Sequence, residues 1–213
     1  MALENEQSKK GLEILEKCYN FAINGLPTSD SAEVMANEYL RKYNYNTNLA
    51  VEKLVQAQIT KCATTGFVTG LGGIITLPVA VSADVAGTVY VQLRMIASIA
   101  VIGGYNPNDD EVKTLAYMCL VGMSATDIIK TTGIKIGQKV TINALKRLPT
   151  QILFKINQKV GFRLITKFGT KGFINLSKTI PIVGGIIGGG IDAFGTKSIS
   201  EQAKKCFINN YGI

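Results

Sequence analysis

Between Lys61 and Asp84 the chain carries no formal charge for 22 consecutive positions. This run, CATTGFVTGLGGIITLPVAVSA, approaches the length of a bilayer-spanning helix. Gly66, Gly70, Gly72, Gly73 and Pro78 argue against that simple reading. Each glycine costs a helix about 1 kcal/mol relative to alanine, and proline lacks the backbone donor a helix needs. The apolar helix expected next, over 80–102, is punctuated by Asp84, Tyr90, Gln92 and Arg94. Charges without partners are costly to bury, so each of these residues requires a partner elsewhere. Residues 62–94 are therefore expected to form half of a close-packed core element.

The other half is expected at residues 172–195, GFINLSKTIPIVGGIIGGGIDAFG. Lys167 stands five residues before Gly172, as Lys61 does before Gly66. A proline follows each, Pro78 and Pro181. An aspartate then precedes a glycine by three residues, Asp84 before Gly87 and Asp192 before Gly195. Gly66/Gly70, Gly184/Gly188 and Gly185/Gly189 have the i, i+4 spacing that lets two helix backbones approach. Asp84 and Arg94 are about 15 Å apart along a helix and cannot pair with each other. Asp192 is the candidate partner for Arg94, either in a structural ion pair or in a polar pocket.

Charge is divided unevenly. Residues 1–128 hold 9 basic and 13 acidic side chains; residues 129–213 hold 14 and 2, a balance of +12. Such an asymmetry points to an anionic partner for the second half. Its densest part is Lys155, Lys159, Arg163, Lys167 and Lys171, one at every fourth position. Ile152, Leu153, Ile156, Val160, Leu164 and Phe168 lie beside that row. Basic and apolar residues on one helix suit binding to an anionic lipid surface. Nucleic acid is not expected, because no recognition motif is present and no aromatics interleave as stacking platforms.

The remaining chain reads as helices. A stripe of Leu12, Leu15, Tyr19, Ala22, Ile23 and Leu26 predicts a helix over 5–26. Ser29 or Asp30 is expected to cap a second, to about Tyr43, and a third starts near Thr47. Asn106 as cap with Pro107 at the first turn predicts another, to about Met123. A basic helical region spans 127–168 with a break at Leu148-Pro149, and a last helix starts near Thr196. No strand pattern is found. The fold class is all-α, a single domain of seven to nine helices over 1–213, with amphipathic helices in 1–45 and two Gly-rich, hairpin-like segments packed centrally.

Several functions find no support. There is no histidine, and Cys18, Cys62, Cys119 and Cys206 form no CxxC pair, so no metal or other cofactor is expected. The four thiols are expected buried and reduced. Gly190–Ser198 falls short of a phosphate-binding loop, since Thr196 intervenes before Lys197 and no strand precedes it. No nucleophile and base stand at motif spacing, so catalysis is not expected. Residues 1–10 mix acids and lysines with no apolar run behind them, so no secretory signal is expected.

The wording of three blocks resembles a known family. GFVTGLGGIITLPVAVSADVAGTVYVQLRMIASIAVIGGY, NQKVGFRLITKFGTKGFINLSKTIPIVGGIIGGGIDAF and TKSISEQAKKCF are similar to the EcsC family, over most of 45–207, with a core at 46–207. The family pattern is a glycine-rich stretch, then L-P-x-x-x-x-A-D-x-x-G, then Y-x-Q-L-R-M. Gly70, Gly72, Gly73, Pro78, Asp84, Gly87, Tyr90, Gln92, Arg94, Gly184, Gly185, Gly189 and Asp192 match it. Ser82 stands where the pattern has proline. The resemblance implies membrane association or lipid handling, proximity to a membrane transporter, and no catalytic residues. The expectation is a non-catalytic protein that binds lipid or an anionic membrane surface, cytoplasmic and peripheral at the inner face of the cell membrane. A module that binds a transporter or another protein is the alternative.

Overall fold

The computed structural model describes the backbone of residues 2–63, 83–135, 140–168 and 189–208, and side chains within 4–62, 86–135, 140–166 and 195–208. These residues form α1 (Ala2–Asn24), α2 (Ala32–Lys42), α3 (Thr47–Ala63), α4 (Ala83–Ile102), α5 (Asp110–Val121), α6 (Ala125–Thr132), α7 (Ile142–Leu145), α8 (Thr150–Phe168) and α9 (Gly189–Phe207). No strand occurs among them, and the chain is all-α. Gly66, Gly70, Gly72, Gly73, Gly184, Gly185, Gly188 and Lys171 lie outside the described residues, so the expected hairpin packing of the glycine stretches does too.

The apolar helix after Pro78 is the centre of the molecule. Every residue of α4 from Ala86 to Ala100 is buried. Helices α1, α2, α3, α5 and α9 pack around it, and α8 lies along α1 and α5. One hydrophobic cluster takes residues from all nine of these helices, among them Leu15, Met35, Leu54, Leu93, Leu115, Ile128, Leu145, Ile156 and Phe207. No single described helix is long and apolar enough to cross a membrane. The bent pair α5 and α6 has sufficient length and composition together, but turns by 111°. Helix α5 buries all its apolar residues, and α6 buries Ala125 and Ile128.

Local chemistry sets the helix ends, in places differently from expectation. Ser31, not Ser29 or Asp30, caps α2, its hydroxyl accepting from Val34 N at 3.2 Å. Leu26 and Ser29 instead exchange backbone hydrogen bonds across a tight turn. Pro107 does not open α5. Asn106 Oδ1 accepts from Asn108 N at 3.0 Å, a local turn that delays the helix to Asp110. The Pro107 carbonyl then accepts from the buried Tyr19 hydroxyl at 2.8 Å. A full capping box on Ser124 and Asp127 starts α6. The break at Leu148-Pro149 separates α7 from α8. Helix α9 begins at Gly189, seven positions before the expected start. The second glycine stretch is therefore partly helical.

A close backbone approach involves two glycines outside both glycine stretches. Gly11 of α1 faces Gly161 of α8. A Cβ added at Gly161 would lie 2.6 Å from Leu12 N and 2.7 Å from Ser8 O, and one at Gly11 would overlap the Gly161 carbonyl. The two helices cross backbone to backbone here because neither carries a side chain.

Candidate functional site

Two groups of polar residues stand out: a buried line on α4 and the basic edge of α8. On α4, Tyr90, Gln92 and Arg94 are 0 %, 2 % and 4 % exposed. Tyr90 and Arg94, four residues apart, share a face; Gln92 points away from them. Gln92 Nε2 donates to Thr196 Oγ1 of α9 at 3.1 Å. This contact joins the helix after the first glycine stretch to the helix that begins within the second. The Tyr90 hydroxyl, Gln92 Oε1 and Arg94 Nε are sealed from solvent and have no hydrogen-bond partner among the described residues. The side chains of Asp84 and Asp192 lie outside the described residues, and so does the expected Arg94–Asp192 pair. One turn beyond Arg94, Ser98 donates to the Ala32 carbonyl at 2.8 Å and ties α4 to α2.

Lys61, at the end of α3, feels the Arg94 charge. Burial lowers the Lys61 pKa, and the Arg94 charge lowers it further; Glu38 and Asp30 oppose with smaller effects. Gln58, one turn earlier on the same face of α3, is 1 % exposed, and its amide oxygen has no partner among the described residues.

The basic row on α8 is not uniform. Lys155 is exposed. Lys159 Nζ lies 3.9 Å from Glu4 and 5.2 Å from the centre of the Phe162 ring. Arg163 forms an ion pair and hydrogen bond with Asp127. That bond, with further bonds from Ser124, holds the Asp127 carboxyl down at about 2. Lys167 sits in α8, but its side chain is outside the described set. Lys155 and Lys159 together line an open polar cleft of about 310 Å³ with Glu4, Asn5, Ser8, Thr131 and Gln158.

The apolar residues beside this row have another role. Leu153, Ile156, Val160 and Leu164 are buried in the main core, and Ile152 packs partly buried against it. They face the protein, so they are unavailable to lipid. The outward apolar groups are Phe154, 53 % exposed, and the half-buried Phe162. Exposed Lys146 and Arg147 precede them at the α7–α8 corner. Sequence periodicity could have found Phe154: it falls off the i, i+3, i+4 stripe of Leu153, Ile156 and Val160.

The thiols divide. Cys18 and Cys119 are buried, whereas Cys62 and Cys206 are only partly so, which corrects the expectation of four buried thiols. Cys206 sits on α9 with its sulfur 3.7 Å from that of Cys119 on α5. No group of three or more potential metal ligands occurs among the described residues.

The EcsC family model matches residues 6–208. The chain belongs to the EcsC protein family. The match reaches further towards the N-terminus than the resemblance read from 45–207, and takes in α1 from residue 6 and all of α2. The helix crossing at Gly11/Gly161 thus falls within the EcsC match. Comparison with curated proteins and with solved structures returned no match.

Proposed function

We propose that this EcsC protein is a non-catalytic binding protein for anionic membrane surfaces, docking through the outer face of α8 and the α7–α8 corner. One observation carries the reading: Phe154 is 53 % exposed and borders Lys155, with Lys146 and Arg147 at the preceding corner. An aromatic that enters the interface beside cations that meet headgroups is the chemistry of peripheral binding. Lys159 and Phe162 extend that face by one turn, and the +12 balance of the second half supplies the wider attraction. Arg163 contributes less, because Asp127 already neutralises it.

Flotation with phosphatidylglycerol-containing vesicles tests this reading. The wild type is expected to co-float and to be released by salt. K146E/R147E/K155E is expected to bind at least tenfold more weakly, since each cation near such a surface is worth about 1 kcal/mol. F154S is expected to weaken binding without changing its salt dependence. Equal flotation of all three proteins would sink the proposal. A protein partner is the second reading, favoured by Val34, which is 53 % exposed between Glu33 and Glu38 on the outer side of α2. Capture of a partner that is lost in V34D, with no vesicle binding, would favour it.

A further inference from the structure

Two cysteines far apart in the chain meet near the end of α9. The Cys206 sulfur lies 3.7 Å from that of Cys119 on α5, and the Cys119 thiol donates to it. The two residues are 87 positions apart. Packing around them fixes this approach. Phe207, next to Cys206, is buried and meets the Tyr105 ring edge-on, with ring centres 5.8 Å apart. The Phe207 carbonyl sits against Gly103, where an added Cβ would overlap it. The last turn of α9 is thus seated on the turn that leads into α5.

The two thiols differ in access and in chemistry. Cys119 is buried, whereas Cys206 is partly exposed. The exposed Lys205 precedes Cys206. The bond from Cys119 lowers the Cys206 pKa; burial opposes it, and the Lys205 charge lowers it further. The same bond raises the pKa of Cys119. A thiolate is the form that oxidants attack, and a second thiol in contact converts the first oxidation product to a disulfide. Contact, exposure and charge all give Cys206 the first role and Cys119 the second.

We propose that Cys206 and Cys119 form a reversible oxidation site, at which hydrogen peroxide converts the pair to a disulfide that locks α9 onto α5. The Cys206 thiolate attacks one peroxide oxygen, the O–O bond breaks, and Cys206 becomes a sulfenic acid with release of hydroxide. Cys119 gives its proton to that hydroxide, which leaves as water. The Cys119 sulfur then attacks the Cys206 sulfur and the S–O bond breaks. The departing hydroxide takes the proton that Cys206 first lost and leaves as a second water. The two sulfurs have lost two electrons and the peroxide has gained them. The sulfurs close from 3.7 Å to a bond of about 2.0 Å. A dithiol reductant reverses the step by exchange. This inference goes beyond surface docking by α8 and does not depend on it.

The test treats the folded full chain with hydrogen peroxide or with dithiothreitol, caps the remaining thiols and maps the peptides by mass spectrometry. In the wild type, peroxide is expected to join the peptides holding Cys119 and Cys206 within one chain, and dithiothreitol to release them. The bridged protein should melt about 5 °C above the reduced one, because the bridge closes a long loop in the unfolded chain. In C119A, dimedone should trap a sulfenic acid at Cys206. In C206A, neither a bridge nor an adduct at Cys119 should form, and peroxide should leave the Tm unchanged.

Four outcomes overturn the site: no oxidation of Cys206 in the wild type, its conversion to sulfinic acid without a bridge, a bridge to another cysteine or another chain, or a bridge that forms only above the Tm. A bridged protein that melts no higher than the reduced one overturns the locking of α9. The wild-type peptide map decides the pairing even where a variant does not fold.

Discussion

Asp127 does two things with one carboxylate. It closes the capping box that starts α6 and holds Arg163 of α8. Its pKa is depressed to about 2 from an ordinary 3.8, first by the Arg163 hydrogen bond. A depressed carboxyl contributes stability that is present above the unfolded pKa and is lost as pH falls through the folded one. D127N is therefore expected to be less stable than the wild type at neutral pH by about 1 kcal/mol. The difference should close between about pH 4 and pH 2, and urea midpoints across that range check it. The thiols give a second prediction. Burial raises the Cys18 pKa to about 12, whereas the Cys119 bond lowers that of Cys206. Alkylation of the native protein should therefore modify Cys206 well before Cys18, with peptide mass spectrometry as the measurement. Neither behaviour was legible from sequence, because both depend on residues 36 and 87 positions away.

Among the elements, α8 shows most clearly how a helix serves two surfaces. Its apolar stripe was legible as a stripe, but which neighbour covered it was not. Helix α1 lies along α8, and this leaves Phe154 and the lysines outside. The approach depends on Gly11 and Gly161. On an isolated helix, Gly161→Ala would add about 1 kcal/mol of stability through propensity. Here the new methyl would sit 2.7 Å from a backbone carbonyl, so the sign reverses. G161A is expected to destabilise by about 1–3 kcal/mol, the usual cost of overpacking, and G11A similarly. G11A/G161A should cost less than the sum of the two, because one separation of α1 from α8 relieves both clashes. Chemical denaturation of the three variants measures this. The start of α5 carries the same lesson on a smaller scale. Asn106-Pro107 is a good local start signal, but Tyr19 takes the Pro107 carbonyl and the helix begins three residues later.

For the whole molecule, the proposed surface docking should respond strongly to salt. Exposed cations act through solvent, where the screening length falls from about 10 Å at 0.1 M to about 3 Å at 1 M. Vesicle association through α8 should therefore decline steeply over that range. Flotation titrations in salt provide the measurement. The all-helical class, the principal turns, the charge asymmetry and the EcsC membership are set within the sequence itself. Periodicity, Gly/Pro punctuation and motif wording are local properties, available without knowing which helix meets which. The burial of α4 was also foreshadowed, because an apolar helix with few polar residues has to be enclosed. Tertiary structure alone decided which lysines stay free, which glycines touch, and that Arg94 is enclosed with no described carboxylate beside it. Those outcomes depend on distances between residues far apart in the chain, and no local pattern encodes such distances.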